Sequence, residues 1–349
     1  MKYRLLQWLA CPRCRSTDLT LETARTRVLP VTHGHFTPTE GAPAGVDLER
    51  GEETDVVEGA LHCGGCGAGY PIRDGIPRML ADDALEGPDT AHRWTTFDTA
   101  WSEWEESFLD YAHPLQPPDF LGKLVLDAGC GYGRHAYYAA RYGAEVLAID
   151  SSGDAVAAAA ANTDGLSRVH VIQGSLLHPP VREQLVDLAY CFGVLHHLDR
   201  PHEAFEALGE IVRPGGQLAV WVYGHRQGVT LLASNAVRGM TTAMEPDELH
   251  RVSRTIARGL RLFSHTPYKL LGGVPVAGDI VRRLPVHDHH RWPFDVVVAD
   301  IFDRLRIPVR HWFNREKIEV MLTDAGYANV KVTRRVRNNE SFRAIGTRR

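Results

Sequence analysis

Residues 124–135 read LVLDAGCGYGRH, and this stretch decides the fold. A short apolar run feeds directly into Gly129, Gly131 and Gly133, the pattern of a buried strand ending in a glycine-rich turn before a helix. Glycines let the backbone approach a ligand without side-chain collision. The dinucleotide fingerprint GxGxxG holds a pyrophosphate at such a turn. Here the spacing is GxGxG, and Arg134 stands where the fingerprint has its third glycine. Asp127, two residues before the first glycine, sets the sign of the ligand: a carboxylate there repels a pyrophosphate and stabilises a cation. Asp150 closes the next apolar run, AEVLAID, and is placed to accept hydrogen bonds from ribose hydroxyls.

Working outward, strands and helices alternate. KLVLDAG, AEVLAID, RVHVIQG, VDLAYCFG and GQLAVWVYG read as strands. GRHAYYAARYG, SGDAVAAAAANT (capped by Ser151 or Ser152) and RPHEAFEALGEIVRPGG read as helices between them. NREKIEVMLTDAGYANVKVTRRV supplies a helix and a strand, and SFRAIGTR a last strand. This is an α/β chain with a Rossmann-like, mostly parallel sheet and an antiparallel final strand.

Together the motifs resemble the class I S-adenosylmethionine-dependent methyltransferases over roughly residues 120–223. That donor lacks phosphate and carries an α-ammonium and a sulfonium, which suits Asp127. The resemblance implies that Asp127 acts through the amino group, that Gly129, Gly131 and Gly133 shape the methionine pocket, and that Asp150 binds the ribose with Ser151 beside it. It also implies that Ser175 and Leu176 line the adenine, although Ser175 stands where such enzymes often carry an acid. Phe192 falls where the chain passes the donor.

Ahead of this domain, Cys11/Cys14 and Cys63/Cys66 form two CxxC pairs in residues 1–80, around LTLETARTRVLPV and TDVVEGALHC, which alternate as strands do. Four thiolates offer a closed tetrahedral site for a structural Zn²⁺, against a redox alternative for the pairs. Cys130 and Cys191 read as buried thiols. LLQWLACPRC and LHCGGCGAGYPIRDGIPRML resemble the small zinc-ribbon protein that activates tRNA, rRNA and protein methyltransferases in trans, here fused in cis.

Residues 81–121 form a connector in which Trp94, Phe97, Trp101, Trp104 and Phe108 recur at helical spacing. It reads as a helix packed on the main domain or a lid over the site, with Trp101 facing the acceptor. The catalytic domain spans 122–349, with an acceptor-side insertion at 224–310. Within it Val252, Ile256, Leu260 and Phe263 form an apolar stripe beside Arg251, Arg254, Arg258 and Arg261, read as a solvated basic face on a packed lid helix. His287, Asp288, His289 and His290 are consecutive and ill placed to converge on one metal, so this loop reads as a pocket wall with Trp292. His196 and His197 in FGVLHHLDRPHEAF stand at a strand's carboxyl end, as general base or as structural residues. Tyr223, His311 and Trp312 join Trp101 and Trp292 as acceptor-side candidates.

The net charge of −4 at pH 7 gives no overall push toward nucleic acid or membrane. No apolar run is long enough to span a bilayer, and no signal peptide opens the chain, so the expected setting is cytoplasmic, without a membrane partner. The leading expectation is methyl transfer by in-line displacement to a small-molecule acceptor. Two alternatives stand beside it: an RNA (tRNA or rRNA) methyltransferase, supported by the basic C-terminal KVTRRVRNNESFRAIGTRR, and a non-catalytic ribbon and donor-binding module.

Overall fold

The computed structural model describes residues 1–30, 45–47, 50–81, 102–224, 241, 244–282, 284, 287–306, 311–334 and 341–349. The chain divides into two units: Met1–Gly224 with Arg310–Arg335 and Glu340–Arg349, and His225–Val309 with Val336–Asn339.

The first unit is organised by the quoted stretch. Strand β6, Leu124–Ala128, is flanked by parallel β7 (Glu145–Asp150) and β9 (Val186–Phe192). Beyond β7 lies β8 (Val169–Gly174), and beyond β9 lies β10 (Val212–Tyr223), both again parallel. Strand β12 (Ser341–Arg348) pairs antiparallel with β10 and with β11 (Tyr327–Arg334). Helices α2 (Arg134–Arg141), α3 (Gly153–Asn162) and α4 (Pro201–Ile211) make the crossovers. This is the expected Rossmann-like sheet with an antiparallel last strand.

Local chemistry sets the boundaries. Ser152 caps α3 by accepting the Ala155 N–H at 3.2 Å, which decides between the two serines. The helix expected through residue 216 stops at Ile211, and VRPGG belongs to the bulged start of β10. Pro214 has no N–H to continue a helix, and a Cβ on Gly216 would lie 2.9 Å from the Asp187 carbonyl oxygen.

The amino-terminal strands continue the same sheet. Strands β1 (Leu19–Pro30), β3 (Glu52–Cys63), β4 (Gly69–Arg73) and β5 (Ile76–Met79) form an antiparallel ribbon, with the short β2 (Val46–Asp47) on β3. Strand β5 then pairs in parallel with β8 through Arg78↔Gln173 and Met79↔Gly174. One hydrophobic core runs from Leu5, Leu9, Leu61 and Ile72 of the ribbon to Leu126, Ile149 and Ile172 of the sheet.

The connector contributes helix α1, Ser102–Ala112. Trp104 and Phe108 are buried, while Trp94, Phe97 and Trp101 lie outside the described residues. In the second unit, the helix Pro246–Leu260 packs on Phe294–Arg306, with Ala257 against Val297, Val298 and Ile301. Among the described residues no helix is long and apolar enough to cross a membrane.

Candidate functional site

The parallel strands deliver Asp127, Asp150, Phe192 and Tyr223 to their carboxyl ends, where open α/β sheets bind ligands. The turn after β6 is held by its glycines. Gly129, Gly131 and Gly133 have φ of +82°, +53° and +83°, a region side chains rarely adopt. A Cβ on Gly129 would also lie 2.4 Å from Cγ2 of Val194. The Gly129 and Cys130 N–H groups donate to the Ile149 carbonyl at 2.8 and 2.9 Å, tying the turn to β7.

Asp127 is 1% exposed, and its Oδ2 has no hydrogen-bond partner among the described residues. Burial pushes its carboxyl up to about 8, against the pull of the neighbouring Tyr190 hydroxyl. Arg134 opens α2 with its guanidinium 4.2 Å from the Trp104 ring centroid, 5.8 Å from that of Tyr132 and 5.9 Å from that of Tyr111. Its terminal nitrogen lies 3.1 Å from Nε2 of His135, and its buried Nε has no partner. Asp127 and Arg134 influence one another electrostatically yet make no ion pair. One buried acid and one base without a carboxylate thus stand beside the same glycine turn, complementary to a zwitterionic amino-acid end.

Asp150 does local work as well. Its Oδ2 accepts the Gly131 N–H and its Oδ1 the Ser152 N–H, each at 3.0 Å. Burial raises its pKa, and these backbone donors oppose the rise. Its carboxylate therefore shapes the turn and retains lone pairs for further donors. The Ser151 carbonyl accepts from Gln173 Nε2 at 2.9 Å, and Gln173 Oε1 accepts from Arg78 of the ribbon at 3.3 Å. Ser175 Oγ accepts the Leu177 N–H at 3.2 Å, and Leu176 is buried beside it.

Phe192 stacks on Tyr190 at 4.8 Å. Around it gather Tyr111 (6.3 Å) and His135 (5.6 Å), and Tyr111 also meets Trp221 at 4.8 Å. Trp221 continues to Tyr223 at 5.1 Å, and Tyr223 to His196 at 4.2 Å and Trp312 at 6.3 Å. His197 lies 4.2 Å from His196, and the His311 N–H donates to the His196 carbonyl at 3.1 Å. The chain therefore brings His196, His197, Tyr223, His311 and Trp312 together. Burial and the adjacent Arg134 hold the His135 imidazole well below its usual range, so it is neutral near pH 7.

Tyr111, Arg134, His135, Tyr190 and Trp221 escaped the sequence reading as site residues. Strand period would have found two of them: Trp221 shares a face with Tyr223, and Tyr190 with Phe192. Trp101 lies outside the described residues. Trp292 sits in the second unit, stacked on His289 at 3.6 Å. His287 and His290 both lie 4.8 Å from the Tyr268 ring, and their Nδ1 atoms meet backbone carbonyls.

Among the described residues the one group arranged to hold a metal is Cys11, Cys14, Cys63 and Cys66, whose sulfurs lie within 4.8 Å of one another. Cys11–Cys66 and Cys14–Cys63 are each 3.6 Å apart, too far for disulfides. The spacing is close to the roughly 3.8 Å edge of a tetrahedron with Zn–S bonds of about 2.3 Å.

Fold and glycine turn together define a Rossmann-like domain with a ligand-binding turn at its strand ends. Residues 126–220 match the family described as "Methyltransferase domain", and residues 2–75 match "Trm112p-like protein". The chain thus carries a methyltransferase domain behind an amino-terminal Trm112-like ribbon. It is 33% identical over 100 residues to a ubiquinone biosynthesis O-methyltransferase of Pectobacterium atrosepticum, covering 28% of this chain and 42% of that protein. A protein of the same name from Klebsiella pneumoniae is 30% identical over 156 residues, covering 44% of this chain and 60% of that protein. The chain therefore spans less than two thirds of the length of these relatives. A solved magnesium protoporphyrin IX methyltransferase of Synechocystis, with bound SAH, aligns at 16% identity and TM-score 0.41 over 71% of this chain and 83% of that one.

Proposed function

We propose that this chain transfers a methyl group from S-adenosylmethionine to a small-molecule acceptor. The observation that carries the reading is the buried Asp127 carboxylate beside a glycine turn, with no cation paired to it among the described residues. The donor's ammonium supplies that cation, and Arg134 answers its carboxylate. Asp150 takes the ribose hydroxyls on its remaining lone pairs, with Ser151 alongside, and Ser175, Leu176 and Phe192 flank the adenosine. When bound, the donor brings an activated methyl group, so the protein's task is alignment and exclusion of water. Organisation follows as 1–80 ribbon, 81–121 connector and 122–349 catalytic region with the 224–310 insertion, in a cytoplasmic setting.

The acceptor side is walled by Tyr111, His135, Phe192, Trp221 and Tyr223, which suits a flat, apolar molecule. His196 is fully buried, and its Nδ1 receives the Tyr223 N–H at 3.4 Å, which leaves the ring proton on Nε2. We assign it a positioning role, so any proton the acceptor sheds goes to His197. Cys11, Cys14, Cys63 and Cys66 hold one structural zinc, and metal analysis of reduced protein is expected to find one ion per chain.

Calorimetry with S-adenosylmethionine tests the donor reading directly, and absence of binding removes it. A second reading, RNA methylation, is favoured by one feature: a cleft of roughly 670 Å³ between ribbon and α3, lined by Arg13, Arg73 and Arg78 against the single acid Asp154. Salt-sensitive tRNA binding would move the acceptor assignment there, and no binding at low salt would remove it.

A further inference from the structure

We propose that the second unit docks peripherally on an anionic lipid bilayer, through the helical run from Pro246 to Leu271 and the loop that follows it. The inward side of this run is already satisfied. Leu249, Ser253, Ala257 and Ser264 are buried, and Ala257 packs on Val297, Val298 and Ile301. The outward side of Pro246–Leu260 is mainly charged, with Asp247, Glu248, Arg251 and Arg258 exposed, and strongly exposed apolar side chains begin at Leu262. Phe263, in the π-helical turn Arg261–His265, is 71% exposed, and Leu270, in the helix Thr266–Leu271 that follows, is 73% exposed. Leu262 stands out beside them, and Leu271, Val274 and Val276 carry the exposed apolar surface through a Gly–Gly–Val–Pro–Val turn. Surface turns are ordinarily polar, so an apolar tip next to the exposed Phe263 and Leu270 marks a contact surface.

Charge selects the occupant. Residues 246–282 hold six basic residues and three acids, Asp247, Glu248 and Asp279, in a chain whose net charge is −4. Arg254 and Arg282 are occupied by Asp295 and Asp279, and Arg261 donates to the Trp292 carbonyl. Arg251, Arg258 and Lys269 are exposed and have no acidic partner among the described residues. A second copy on a two-fold axis would place like-charged surfaces against one another, whereas an anionic bilayer answers cations and apolar side chains at once. The absence of a spanning segment does not bear on this mode, in which side chains enter only the headgroup boundary.

The test is flotation of the full chain with phosphatidylcholine vesicles, with and without phosphatidylglycerol, at low and high salt. Binding to the anionic vesicles that weakens with salt is expected, with little to the zwitterionic ones. Phe263→Ser with Leu270→Ser should cost at least about tenfold in partitioning, and Arg251→Glu, Arg258→Glu and Lys269→Glu together about a hundredfold or more. Circular dichroism and limited proteolysis matching the parent's show that the variants are folded. Should a variant fail to fold, the lipid and salt series on the unaltered chain still decides. No flotation with anionic vesicles at low salt overturns the proposal, and so does full binding by the charge variant. Self-association without lipid that the same serine substitutions abolish overturns it in favour of a second copy.

Discussion

Asp127 loses its hydration on folding and gains no cation, so in the free chain its carboxyl holds a proton up to about pH 8. Exposed in an unfolded chain, the same group ionises near 4. Between those values the folded free protein binds the extra proton, so this residue's contribution to stability falls as pH rises through the window. The donor's ammonium reverses the preference, because it requires the carboxylate. Donor affinity should therefore fall as pH drops below about 8, by up to roughly tenfold per unit, with a proton released on binding. Calorimetry between pH 6 and 9 measures both quantities, and a flat profile would place the ammonium elsewhere. Asp127→Asn should weaken the donor and flatten the dependence. Arg134 gives the complementary experiment: Arg134→Ala should cost about tenfold or more in affinity for S-adenosylmethionine yet leave its decarboxylated analogue nearly unaffected. Equal losses for both ligands would mean that Arg134 supports the fold of the turn and does not meet the carboxylate.

The turn between β6 and α2 depends on three left-handed glycines, and each answers a different constraint. Gly131 has open space where a Cβ would go, so its positive φ alone excludes a side chain. Gly133 approaches Ala159 Cα to 3.0 Å at its Cβ position, and Gly129 meets both a positive φ and Val194 at 2.4 Å. Gly129→Ala should cost about 1–3 kcal/mol of stability and much of the donor affinity, read by denaturant unfolding and calorimetry. An alanine variant with both intact would show that β9 and its following loop yield easily. The turn and its flanking strands were legible in the sequence because period and glycine spacing are local signals. The aromatic wall was only partly legible: Tyr223 stood at a recognisable strand end, but Tyr111 reaches the site from another element. Its meeting with Trp221 and Phe192 depends on how α1 crosses the strand ends, which no local pattern encodes. Arg134 and His135 lay in plain view after the last glycine, yet their environment is made by α1 and β9.

At the scale of the molecule, the ribbon is built into the catalytic sheet. Two CxxC pairs announced a ribbon, but pairing of β5 with β8 could not be read from them, because it joins residues about a hundred positions apart. The seam is sealed by charge as well as by the shared core. Arg4 is 2% exposed and pairs with Glu53 at 2.9 Å inside the ribbon and Glu145 at 3.0 Å on β7. Lys2 donates to the Val169 carbonyl at 2.7 Å nearby. Burial raises the pKa of both glutamates, Glu145 to about 7, and the adjacent cations oppose that rise. Removing Arg4 takes the paired cation from the buried Glu53 and one partner from Glu145, a change that typically costs about 3–5 kcal/mol. Arg4→Ala should therefore lower unfolding stability by that order, whereas Arg4→Met with Glu53→Gln should recover much of it by removing charge from both sides. If ribbon and sheet unfold as one body, intrinsic fluorescence and donor binding will be lost at the same denaturant concentration in each variant. Separated transitions, or an Arg4→Ala protein as stable as the parent, would show the ribbon to be an appendage that the sheet does not need.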